Sequence, residues 1–154
     1  MRTLKLLPIL LLFLCGCTAR KFSVRSDDMT NWHLVKRQVC KSESQMKKVF
    51  GPSCQMFIGY QVQKVVIQTL RTEDYKEMKV EIFITADEAN ARNMYARYQT
   101  ITKAPVGNDG SSSPGFVSFY RNNNFVRITA QRNLTGKDNY LLEVAKIIDK
   151  KLMQ

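Results

Sequence analysis

The chain has 154 residues, with 24 Lys and Arg against 13 Asp and Glu, a net charge of +11, and a single His. At about 100 to 200 residues per domain this is one domain's worth of sequence, and 44% hydrophobic with 24% charged residues is the mix of a globular chain, which excludes disorder throughout. Seven Gly and four Pro exclude collagenous or Pro-rich architecture, and no internal period marks a repeat protein.

Arg2 and Lys5 precede an apolar stretch over residues 6–14 that ends in Leu14-Cys15-Gly16-Cys17. A basic start, an apolar stretch of about 7 to 15 residues and small closing residues mark an export signal, whereas a spanning helix needs about 20 apolar residues. Residues 14–17 also resemble the lipobox of bacterial lipoproteins. That resemblance implies cleavage between Gly16 and Cys17, a diacylglyceryl thioether on Cys17 and acylation of the new amino terminus. It divides the chain into a signal peptide (1–16), a lipidated flexible tether (17–30) and one globular domain (31–154). Membrane attachment through Cys17 follows. Because Thr18 rather than Asp comes next, the outer membrane facing the periplasm is favoured in a host with two membranes.

Removal of residues 1–16 leaves 22 basic and 13 acidic side chains, unevenly placed: residues 20–64 hold nine basic and three acidic groups. Export makes nucleic acid an unexpected partner, so the natural anionic partners are phospholipid, lipopolysaccharide, cell-wall polymer or an acidic protein. Cys40 and Cys54 remain as the unlipidated pair. In an oxidising compartment a bridge between them is expected, closing a 15-residue loop that would contribute about 3 kcal/mol.

In chain order, residues 32–40 suit a strand or a short helix. Ser42-Glu43-Ser44-Gln45 is a capping box for a short helix that Gly51-Pro52 stops. Residues 55–70 are β-branched and aromatic with a parity switch near Lys64, which reads as a bulged strand or two strands meeting at a bend. Met78, Val80, Ile82 and Ile84 alternate as a strand. Thr85-Ala86-Asp87-Glu88 is a second capping box before a helix over about 86–100, whose Tyr95 and Tyr98 belong to its core stripe. Residues 106–115, with three Gly and three Ser, read as a flexible loop. Residues 116–120 and 125–131 form a hairpin across Asn122-Asn123-Asn124, and Tyr140 begins a closing amphipathic helix of about four turns. The expected fold class is α+β, a small antiparallel sheet of about four to five strands with helices packed on one face.

No HExxH, GxSxG, GxxxxGK[ST] or GxGxxG occurs, and the lone His33 cannot build a multi-His metal site. Glu77 and Glu81 share a strand face with Lys79 between them, the pattern of a solvated face. No catalytic residue, metal or cofactor is expected. The expected function is a non-catalytic binding or assembly module for an envelope protein partner. The alternative is recognition of anionic polymer or lipid, with Arg121, Arg127 and Arg132 as the candidate residues. Salt dependence separates the two, because a polyanion binder weakens steeply with ionic strength.

Overall fold

A computed structural model describes residues 23–132 and 140–154; the side chains of Ser26 and Arg132 are not among those described. Strands β1 (His33–Cys40), β2 (Val62–Arg71), β3 (Glu77–Thr85), β4 (Thr102–Lys103), β5 (Asp109–Ser113), β6 (Phe116–Arg121) and β7 (Asn124–Arg132) form one sheet in the order β1-β2-β3-β7-β6-β5-β4. Every neighbouring pair is antiparallel. Helices α1 (Glu43–Phe50), α2 (Cys54–Gly59), α3 (Glu88–Tyr98) and α4 (Tyr140–Leu152) complete the fold. The α+β class is as expected, but seven strands replace the expected four to five.

The helices also lie on both faces, not one. Alternation in β3 sends Met78, Val80 and Ile82 to one apolar cluster, where Leu141, Val144, Ala145, Ile148 and Leu152 of α4 cover them. Phe83 points the other way, into a second cluster with Met46 of α1, Phe57 of α2 and Ala91, Met94 and Tyr95 of α3. Both parities of the central strands therefore carry apolar residues, as expected for strands buried on both sides.

The missing strands come from the segment read as a flexible loop, where Asp109–Ser113 forms β5 and pairs with β6, and Thr102–Lys103 pairs with β5. Small residues serve close approach here. A Cβ on Gly110 would meet the Val106 carbonyl oxygen at 2.6 Å, so the Gly-Ser composition records packing and not mobility.

Residues 54–59 are helical, whereas a strand was expected from residue 55. Cys54 and Phe57, three apart, bury one face of α2, and Phe57 packs edge-on against Phe50 with ring centroids 4.9 Å apart. A left-handed Gln61 (φ 51°) then turns the chain into β2. The parity switch near Lys64 is real, and it coincides with a register shift between Val62 and Lys64. Ser42 caps α1 by accepting from the Gln45 N–H at 3.4 Å, while Gln45 Oε1 accepts from the Lys41 N–H at 2.7 Å. At α3 the cap is Asp87, which accepts from the Asn90 N–H at 2.8 Å; Thr85, expected in that role, instead donates to the Asn123 carbonyl at 2.9 Å and holds the β6–β7 turn.

The expected tether of residues 17–30 is shortened by packing. Val24 is buried, and its N–H and C=O are both bonded to the side chain of Gln68 at 3.0 Å. Lys151 donates to the Ser23 carbonyl at 2.9 Å and pairs with Asp28. Trp32 is buried against Tyr140, centroids 5.8 Å apart. Residues from Ser23 onward thus belong to the domain. Residues 1–22, with the expected signal peptide and Cys17, lie outside the described residues.

Candidate functional site

On the face carrying α1 to α3, the helices cover only part of the sheet. Beyond them β1, β2, β3 and β7 present Lys36, Gln38, Thr69, Arg71, Glu77, Lys79, Arg127 and Thr129 in alternating positions. A shallow cleft of about 190 Å³ opens there between Val49 of α1 and Lys36, Gln38, Thr69 and Lys79 of the sheet.

At the edge of this platform Glu81 is 2% exposed, not on a solvated face. Lys79 Nζ lies 2.8 Å from its Oε1, and Arg127 Nε bonds its Oε2. The Arg127 guanidinium sits 5.2 Å from the ring centroids of both Phe83 and Tyr98, and Lys79 lies 5.9 Å from that of Phe50. Burial acts against the charge of Arg127, but the bond to Glu81 outweighs it and holds the guanidinium above its already high ordinary value. Glu81 is therefore flanked by two cations, one on each carboxylate oxygen. Glu77 is likewise occupied, accepting from Arg71 Nε and Nη2 at 3.0 and 2.8 Å. The two carboxylates tie neighbouring strands together through their ion pairs.

The three candidate arginines do not form one patch. Arg127 faces the α1–α3 side. Arg121 faces the other, where Nε and Nη2 bond the two oxygens of Asp149 on α4 at 2.7 and 2.9 Å, and Nη1 bonds Asn108 at 3.1 Å. Burial pushes the Asp149 carboxyl up, but Arg121 and the Gly107 N–H at 2.9 Å hold it below its ordinary value. Arg121 thus fastens the hairpin to the closing helix. Arg132 pairs through its backbone position with Glu77, and its side chain is not described.

The unpaired positive charge lies elsewhere. Lys36 and Lys41 on β1 and just after it, with Lys47 and Lys48 on α1, are exposed and form no ion pair among the described residues. They come from the residue 20–64 segment whose basic excess stands out in the sequence. Among the described residues β1 is an edge strand with no partner on its outer side, and Leu34 and Val35 beside Lys36 are 38% and 48% exposed. An edge strand offers a row of unpaired backbone donors and acceptors, here interrupted by a register shift between Leu34 and Lys36.

Cys40 and Cys54, the pair expected to bridge, are buried in one apolar cluster with their thiols not at bonding distance in this structure. The Cys54 thiol is directed at the Glu43 carbonyl, 3.8 Å away. Burial, then the neighbouring Cys54, pushes the Cys40 thiol up, so it is a packing group and not a reactive thiolate. No group of three His, Cys, Asp or Glu that could hold a metal occurs among the described residues. Nor is any helix among them long and apolar enough to cross a membrane. No protein-family model matches the chain, and no curated protein or solved structure shows significant similarity to it.

Proposed function

We propose that the protein is an exported, lipid-anchored envelope module that binds a protein partner through its β1 edge and the adjoining open sheet, without catalysis. The export signal and lipobox resemblance supply the location. The observation that carries the binding role is the edge strand, unpaired on its outer side among the described residues, with Leu34, Val35 and Lys36 exposed near its start and Lys41, Lys47 and Lys48 exposed beyond its other end. Backbone groups along such an edge give affinity to an extended segment, while the side chains on alternate positions select it. The lysines favour an acidic one. The non-catalytic part of the reading rests on the motif-poor sequence and on the engagement of Glu77 and Glu81 by cations, with His33, the single imidazole of the chain, exposed at a strand end.

The test is a photo-crosslinking residue at Val35 in the native, lipidated protein. A discrete protein adduct that persists at high salt is expected. The second reading, recognition of anionic envelope polymer or lipid, rests on the four unpaired lysines. It replaces the first if no adduct forms at any salt while purified cell wall or lipopolysaccharide binds and is released steeply by ionic strength.

A further inference from the structure

The domain's two faces are chemically distinct, and the point where the described chain begins is fixed on one of them. Ser23 lies at the carboxyl end of α4, because Lys151 donates to its carbonyl at 2.9 Å and pairs with Asp28. From Ser23 back to Cys17 is six residues, which span at most about 20 Å when fully extended. That leash is shorter than the breadth of the seven-stranded sheet, about 29 Å at about 4.8 Å between strands, so the surface around Ser23 stays close to whatever holds Cys17. The surface there suits a bilayer. Lys146 and Lys150, one turn apart on the outer side of α4, are exposed, as is Arg25, and Met153 just beyond the helix is 60% exposed. Arg20 and Lys21 add two cations on the leash itself. Asp27 is exposed nearby, and Glu143 of the same helix stripe lies about 4.5 Å along the axis from Lys146 and about 15 Å from Met153, so the net positive charge grows toward the Met153 end.

We infer that the outer side of α4, at its Lys146–Lys150–Met153 end, lies on an anionic phospholipid surface, turning the α1–α3 face away from the membrane. This rests on the lipid anchor of the proposed function and deepens it: the same short leash that brings α4 to the headgroups presents the β1 edge and α3 to the compartment. Lysines near an anionic leaflet add attraction that salt weakens, and an exposed methionine beside them can enter the headgroup layer.

The experiment uses the full-length protein purified from membranes, with intact mass reporting the acyl chains on Cys17. It is added to preformed vesicles of phosphatidylethanolamine with a quarter phosphatidylglycerol. Met153→Cys and Ala96→Cys place single reactive thiols on the α4 end and on the exposed side of α3, while Cys40 and Cys54 are buried. A bulky water-soluble maleimide should label Met153→Cys about threefold or more slower on vesicles than in detergent, with Ala96→Cys unchanged, and added Lys146→Glu and Lys150→Glu should abolish the difference. Acylated, vesicle-bound protein labelled equally at both positions, or slowed at Ala96→Cys, overturns the orientation and leaves the anchor standing. Unacylated protein that stays off the vesicles overturns both.

Discussion

The two faces of one sheet are finished by different means. On the α4 side, apolar side chains from β2, β3, β6 and β7 are sealed by a single 13-residue helix and by the segment around Val24 and Trp32. On the α1–α3 side, three shorter helices cover part of the sheet, and the remainder is closed by ion pairs among Arg71, Glu77, Lys79, Glu81 and Arg127. Where a helix supplies methyl groups, burial stabilises directly. Where none does, the strand must place charges at the boundary, and each buried charge then depends on its neighbours. The polar half-face is thus the side on which a small change does the most local damage and on which a partner can meet the sheet.

Substitutions on each face sharpen that contrast. The largest effect is expected at Glu81. Glu81→Gln leaves Lys79 and Arg127 uncompensated and should cost about 3 to 5 kcal/mol in urea unfolding, whereas the paired change Glu81→Leu with Arg127→Met should recover much of it. A Glu81→Gln protein as stable as the parent would mean that the half-face is ordinary surface. On the α4 side, Gln68→Ala removes two hydrogen bonds to Val24 and should cost about 2 kcal/mol. The loss should be seen first as faster amide exchange over residues 23–29 while the sheet stays protected.

Next comes a pH effect. Asp149 and Asp28 are both held below 3.8 in the folded protein. Their contribution is fully present above about pH 4 and is lost as pH falls through the lowered values, because the unfolded chain takes up protons first. Asp149→Asn should flatten the melting temperature against pH below about 4 relative to the parent; an unchanged slope would assign the acid sensitivity to other groups. The smallest change is the loss of a helix cap on the open side. Asp87→Ala should cost about 1 kcal/mol, read as a lower urea midpoint with an unchanged slope.

Much of this architecture was legible in the residues, and the failures have physical causes. β3, the Asn-turned hairpin and α4 follow from alternation, turn chemistry and helical spacing, because local pattern and burial agree there. Residues 54–59 misled because Met56, Phe57 and Ile58 are good strand formers on their own, and only packing of Phe57 on Phe50 and Phe83 makes the helix preferable. The stretch around Gly110 and Ser111 carries no hydrophobic signal, since its glycine is selected by proximity to the Val106 carbonyl, a tertiary fact. Of the candidate site, the basic excess of residues 20–64 was visible as a count, and the fold converts part of it into an edge. The engagement of Arg121 and Arg127 was not visible, because Asp149 and Glu81 lie 28 and 46 residues away in sequence. The one available signal was the placement of Glu81 within an otherwise apolar strand.

The Gln68 clamp also has a mechanical meaning. A pull applied to the chain ahead of Ser23 meets the domain at Val24, whose two backbone bonds go to a side chain of β2, and at Ser23, held by the last turn of α4. Load would peel these few contacts one after another before reaching the seven-stranded ladder. The start of the domain is therefore a weak link that yields under force ahead of the sheet and can re-seat without the sheet unravelling.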